Sequence, residues 1–512
     1  MWKSAGKNVI LFLTCRTPKK TGRHGGACLE YKTELNQVVY RILLLQIQFG
    51  AYRAGESLPS MEEAAEWLLV SVDTVRAAYL RLKQEGHISL SKNVGAVVRA
   101  DGGPREAVQA VRSYFASRRE SLLDLCRSLR PLFGCAQWTG LKNASPETIA
   151  RMERLAGGSV PFPYAALQHL EQKYAALGND LLMRLAWQMF MLFQAPFYSV
   201  PEHSQYLARY QRYILDTLAL RRRGEWTALR ARMDGFQDEM SAGLLRFYEE
   251  MPPAEQPEPA AAFYWSAYRK SSQICYSLAM ELLIAISRGV YPAGELLPSL
   301  SRLSAEKGVS VSTARRALAL LNSIGAAKSI QRVGTRVVPP DQAAENCDFG
   351  QPAVRQRLLG MAESLQIFAL SCREVSERTL ASLDAGAVGH WERRFRAFKQ
   401  SRQYELVAYS FLEMITRSAP EQTIRTVYAE LLLQLFWGYP LRSTQKELPA
   451  RNAAYEPLFG RLSASLERRD IPAFSADLEE LVLYELKFVV ERLLRRGIPE
   501  AGKILIPERD LS

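Results

Sequence analysis

Between residues 35 and 100 the spacing of apolar positions changes character along the chain. Leu35, Val38, Val39, Ile42, Leu43 and Leu45 recur at helical steps, which predicts an amphipathic helix ended by Gly50 in a left-handed cap. Gly55 and Pro59 mark a loop, and Ser60 with Glu63 three residues on is a capping-box start for a short helix through about Trp67. Ser71 caps a third helix, which is expected to turn Val75, Tyr79, Leu80 and Leu82 inward, to expose Asp73, Thr74 and Arg76, and to stop at Gly86. The period then falls towards two: His87–Ser91 and Val94–Val98, joined through Lys92 and Asn93, predict a two-stranded wing.

The same pattern returns later in the chain. Gly50-Ala51-Tyr52-Arg53-Ala54-Gly55-Glu56-Ser57-Leu58-Pro59-Ser60 is matched by Gly289-Val290-Tyr291-Pro292-Ala293-Gly294-Glu295-Leu296-Leu297-Pro298-Ser299 at an offset of 239 residues. That offset also pairs Val70–Arg76 with Val309–Arg315, Gly86 with Gly325 and Gly95 with Gly334, without a gap. So long a period is a duplicated multi-domain unit rather than a solenoid.

The stretches between and after the copies are helical in period and poor in strand signals. Arg355–Leu383, Glu392–Arg417, Glu421–Phe436 and Asp477–Arg495 read as helices, and Leu181–Tyr198 as a buried helix interrupted by Arg184, Gln188 and Gln194. Met251–Pro259 holds four prolines and reads as a linker. The expected organisation is a basic tail over 1–32, a first helix-turn-helix with wing over 33–100, a helical domain over 101–250, a linker over 251–262, a second winged unit over 263–340 and a second helical domain over 341–512. The fold class is mainly α with two short hairpins.

With 512 residues the chain is long enough for several cores, and its net charge of +13 points to a polyanionic partner. The excess is uneven: residues 1–32 carry +6, residues 35–99 only +1, and residues 274–338 +5. Seven scattered cysteines without a CxxC pair argue for a reducing, cytoplasmic setting, and five histidines without i, i+4 pairing offer no metal motif. No GxSxG, P-loop or HExxH pattern is present, so no enzyme, cofactor or membrane role is expected. Arg221-Arg222-Arg223 reads as a solvated helix end, and His169 and His203 as structural.

The ordered set Tyr52, Ala54-Gly55, Leu58-Pro59-Ser60, Val70-Ser71, Thr74-Val75-Arg76 and Gly86, repeated as Tyr291, Ala293-Gly294, Leu297-Pro298-Ser299, Val309-Ser310, Thr313, Arg315 and Gly325, resembles the DNA-binding domain of the GntR family. The resemblance implies a recognition helix in the major groove and a wing tip near the minor groove. Carried onto this chain it implies DNA contacts from Ser60, Ser71, Val72, Asp73, Thr74, Arg76, Lys92, Asn93 and Gly95 in the first copy. In the second it implies Ser299, Arg302, Ser310, Val311, Ser312, Thr313, Arg315, Arg316, Gln331, Arg332, Gly334 and Arg336. Family members often carry arginine where this chain has Val72 and Val311, which shifts the expected base preference towards A·T, because valine packs on a thymine methyl. Glu62 and Asp73 put negative charge near the expected DNA face of the first copy, so its grip is expected to be the weaker. The helical halves look loosely like the FadR-type effector domain. The expectation is a regulator of double-stranded DNA acting as an intrachain pseudo-dimer, monomeric in solution, on two unequal half-sites, with a small-molecule effector. The competing reading is a protein-interaction scaffold with degenerate winged helices.

Overall fold

The computed structural model describes residues 35–91, 94–99, 103–158, 160–161, 163–252, 263, 265, 273–401, 407–442 and 447–508. The basic tail 1–32, the wing residues Lys92 and Asn93, and all of the linker segment 251–262 beyond Pro252 lie outside the described residues.

The first copy folds as α1 (Leu35–Gln48), α2 (Met61–Leu68), α3 (Val72–Gln84) and a hairpin of β1 (Ile88–Ser91) and β2 (Gly95–Val98), with Ile88 opposite Val98. Its core is built from the predicted apolar faces: Val39, Ile42 and Leu43 of α1, Ala65 and Leu68 of α2, Val75, Tyr79 and Leu82 of α3, and Ile88. Leu80 is a correction, being 47% exposed. Val75, Ala78, Tyr79 and Leu82 follow i, i+3, i+4, i+7 and fill the inner face, leaving Leu80 about 100° past Tyr79 and turned to solvent. The Tyr79 hydroxyl donates to the Pro59 carbonyl (2.8 Å), tying α3 to the loop before α2.

A helical half follows: α4 (Gly103–Ser117), α5 (Arg119–Lys142), α6 (Pro146–Gly157), α7 (Tyr164–Ala175), α8 (Asp180–Met189), α9 (Ala195–Tyr198), α10 (Gln205–Arg223) and α11 (Trp226–Glu249). Phe190–Gln194, between α8 and α9, is a π-helical turn. The second copy is α12 (Gln273–Ser287), α13 (Leu300–Lys307), α14 (Val311–Ser323), β3 (Ala327–Ile330) and β4 (Gly334–Val337). Its helical half is α15 (Pro340–Asn346), α16 (Pro352–Ser382), α17 (Ala385–Ser401), α18 (Val407–Ser418), α19 (Gln422–Leu435), a 3-10 turn Phe436–Leu441, α20 (Leu448–Glu467) and α21 (Ile471–Arg495). Of the expected run 392–417, residues 392–401 fall in α17 and 407–417 in α18, and residues 402–406 lie outside the described residues. Helix α20 was not expected, since Pro449 and Pro457 interrupt the pattern; Pro449 sits in its first turn, where a missing N–H costs little.

Helix order recurs between the halves, α5 to α8 answering to α16 to α19 and α10–α11 to α20–α21. The halves pack on each other through α5 against α16, with α8 on α16 and α19 on α5. This is the reciprocity of a two-fold interface inside one chain. Asp124 of α5 accepts from the backbone N–H groups of Gln422 and Thr423 (2.7 Å each) and from the Thr423 hydroxyl (2.6 Å), so it caps α19 of the other half. Glu363 of α16 stands 239 residues on from Asp124 and accepts from the backbone of Asp180 and Leu181 at the start of α8. Burial raises the Glu363 carboxyl above its ordinary value. Asn179 also donates to the Glu363 carbonyl (2.9 Å) and to the Gln366 side chain (2.7 Å), and Gln366 donates to Leu177 and Leu505 carbonyls.

Each winged unit is seated on its own half. In the first, the Trp187 indole N–H donates to the Leu68 carbonyl (2.7 Å), Gln168 donates to the Glu66 carbonyl (3.3 Å), and Trp67 stacks on Tyr164. In the second, the Tyr439 hydroxyl donates to the Val338 carbonyl at the wing exit (2.8 Å).

Candidate nucleic-acid interface

Four serines begin the four helices of the two helix-turn-helix units. Ser60 makes the predicted capping box: its Oγ accepts from Glu63 N–H (3.1 Å) and its own N–H donates to the Glu63 carboxylate (2.9 Å), which holds that carboxyl below its ordinary value. Ser71 Oγ accepts from Thr74 N–H (3.3 Å), Ser299 Oγ from Arg302 N–H (3.3 Å) and Ser310 Oγ from Thr313 N–H (3.1 Å). All four serines are exposed. A capped start leaves the remaining first-turn amides pointing outward with the positive end of the helix dipole behind them, an arrangement suited to phosphate.

The two recognition helices differ in side-chain charge. On α3, Asp73 and Arg76 form an ion pair with each other, both exposed. On α14 the matching positions are Ser312 and Arg315, with Arg316 beside it; both arginines are exposed and meet no carboxylate among the described residues. Arg302 on α13 is paired with Glu306 (2.6 Å). Val311 is 42% exposed, whereas Val72 is half-buried against the core. The Thr313 hydroxyl is bonded to Ser310 (2.9 Å) and its side chain is 7% exposed; Thr74 makes the same bond to Ser71 (2.8 Å) from a half-buried position.

The wings diverge in the same sense. Gln331, Arg332, Gly334 and Arg336 are all exposed on the second wing, with Arg332 in the left-handed region (φ 61°) that throws its side chain off the turn. The strand register sets Lys328 directly opposite Arg336, both exposed. Two cations facing each other repel and gain from an anion placed between them. The matching pair on the first wing is Ser89 and Val97, uncharged, with Gly95 in the turn at φ 81°. Lys328 was missed from sequence, and only the cross-strand register brings it beside Arg336.

Elsewhere, Arg221 donates to the Leu141 and Ala144 carbonyls (3.3 Å each) at the end of α5, while Arg222 and Arg223 pair with Glu153 and Glu225. His169 is buried with Nε2 near the Met152 carbonyl (3.1 Å), and His203 Nδ1 lies near the Phe197 carbonyl (2.7 Å). Among the described residues no group of three or more His, Cys, Asp or Glu is placed to hold a metal, and no helix is long and apolar enough to cross a membrane.

A helix-turn-helix with a two-stranded wing, present twice, defines the class of this protein. The model of the bacterial regulatory proteins of the gntR family matches residues 35–98 and 277–337, so the two winged units are helix-turn-helix domains of the GntR type. No curated protein sequence matches the chain. Among solved structures, Escherichia coli McbR/YncC is similar at 19% identity over 42% of this chain and 99% of that chain, with a TM-score of 0.21. Streptococcus agalactiae GntR is similar at 14% identity over 42% and 99%, with a TM-score of 0.19.

Proposed function

We propose that the chain binds one stretch of double-stranded DNA with both winged units, as an intrachain pseudo-dimer acting on two unequal half-sites. In this reading the winged units span 33–100 and 263–340 and are followed by helical domains over 101–250 and 341–512. The observation that carries this reading is the pair of exposed, serine-capped recognition-helix tips at Ser71 and Ser310, on halves joined by a two-fold-like interface. Arg315, Arg316, Arg332, Arg336 and Lys328 supply phosphate and groove contacts in the second copy, and Val311 favours thymine methyls. In the first copy Ser60, Ser71, Thr74 and Arg76 contact the backbone, with Arg76 held back by Asp73. A small molecule bound in a helical domain shifts the population of arrangements and so changes operator affinity.

The test is binding of the full chain to its own promoter region at several salt concentrations, comparing wild type with Arg76→Ala and Arg315→Ala. Salt-dependent binding weakened by Arg315→Ala is the expected result. Binding indifferent to salt and to both changes overturns the reading in favour of a protein-docking role.

A further inference from the structure

The turn of the second wing holds a side chain that its backbone does not favour. Arg332 lies at φ 61°, in the left-handed region that glycine occupies freely and arginine enters at a cost, and Val333 beside it is 50% exposed. The hairpin that carries them is braced. The Leu297 N–H donates to the Thr335 carbonyl (2.8 Å), the Val337 N–H donates to the Glu295 carbonyl (2.9 Å), and Leu296 lies across Gly334, where a Cβ would stand 3.6 Å from it. Behind the tip, Lys328 and Arg336 are cross-strand partners and leave the same face of the hairpin. All three cations are exposed and meet no carboxylate among the described residues. Strain kept on a rigid, exposed tip does nothing for the fold itself, and such positions cluster where a ligand is clamped.

We propose that Arg332 reads the shape of the DNA: it enters the minor groove beside the second unit's half-site and selects a run of A·T pairs there. Such a run narrows the minor groove and concentrates its negative potential, which favours an inserted guanidinium. This assignment rests on the DNA-binding reading above and adds a preference on the minor-groove side to that of Val311 on the major-groove side. The spacing along the hairpin suits it. Lys328 and Arg336 stand two strand steps and a turn behind Arg332, roughly 10 Å, so the pair can hold a phosphate ridge while the tip reaches past it into the next groove. That groove is only about 6 Å wide, and a guanidinium sheds water on entering it more readily than an ammonium does.

The preference is one-sided. At the positions that match Arg332, Lys328 and Arg336 the first copy has Asn93, Ser89 and Val97, and Ser57 stands where the second has Leu296. None of these is charged, so the first wing lacks both the inserted cation and the pair behind it. A G·C pair differs from A·T on this side by the guanine 2-amino group, which projects into the minor groove and stands in the way of the tip.

The experiment footprints the full chain on its own promoter region with hydroxyl radicals and then replaces the adenines of each protected segment in turn by 2,6-diaminopurine. That base adds the guanine-like amino group to the minor groove and leaves the major-groove edge of the pair unchanged, so contacts of the recognition helix are not disturbed. Fluorescence anisotropy at fixed salt compares wild type with Arg332→Gly, a change that relaxes the left-handed backbone and keeps the fold. Replacement in one segment, on one side of the operator, is expected to weaken wild type about tenfold and the variant less than about twofold. Arg332→Gly is also expected to bind the unmodified operator about tenfold more weakly. The assignment is overturned if no segment responds, if segments on both sides respond equally, or if the variant responds as wild type does, which would make Arg332 a phosphate contact only. Absence of any salt-dependent binding by wild type removes the DNA-binding reading itself.

Discussion

The two winged units share a backbone and part company in what they offer a polyanion. The first pairs its recognition-helix arginine with Asp73 and carries an uncharged cross-strand pair on its wing; the second gives Arg315 and Arg316 no carboxylate among the described residues and sets Lys328 opposite Arg336. The helical halves diverge too: the first buries the amine of Lys173 with no carboxylate beside it among the described residues, whereas the second has the apolar Leu412, also buried, at the matching position. Duplication has thus let the two copies diverge in charge, which a symmetric pair of identical subunits cannot do.

The strongest way to break this comparison is to strip the second recognition helix. The double change Arg315→Ala with Arg316→Ala is expected to lower operator affinity about a hundredfold, against less than about threefold for Arg76→Ala, by fluorescence anisotropy at fixed salt. Equal losses would erase the asymmetry. Next in size, Lys173→Met should stabilise the chain by about 2 kcal/mol in chemical denaturation, because an apolar side chain fills the same buried space without desolvating a charge. Because burial lowers Lys173 to about 7 from its ordinary 10.5, the unfolded chain binds the extra proton between those values. Wild-type stability therefore rises with pH across that window, and the advantage of the methionine should shrink from pH 7 towards pH 10. Asp124→Ala uncaps α19 from the opposite half and should cost about 1–2 kcal/mol, measured the same way. Gly308, at φ 61°, ends α13 at the position where the first copy has Leu69 at φ 56°. Gly308→Leu should therefore cost about 1 kcal/mol, since nothing crowds the added carbon and only the backbone strain remains. Smallest is Asp73→Ser, which copies Ser312 into the first unit, frees Arg76, and should strengthen operator binding about twofold to threefold.

What could be read from sequence was what neighbouring residues decide. Ser60 with Glu63, Ser71 with Thr74 and the glycines after each helix are local signals, and the structure places them as caps and turns. Leu80 was misplaced because an apolar residue beside Tyr79 does not say which of two adjacent faces the core will take. Helix α20 was hidden by prolines whose cost depends on where in the helix they fall. The surroundings of Lys173 are formed by helices far apart in the chain, and no spacing in α7 announces that its tenth residue is sealed from water. A signal was available for the interface between halves: the offset that pairs the winged units also pairs Asp124 with Glu363, two acidic residues on matching helices.

Those two carboxylates have a further consequence. When a regulator is assembled from identical subunits, any substitution enters on both sides of the axis at once, and the pair falls apart on dilution. Here the partners share one chain, whose tether keeps each at about millimolar concentration around the other, so dilution does not separate the two halves. A substitution also enters once, and each side is free to drift without being mirrored by the other.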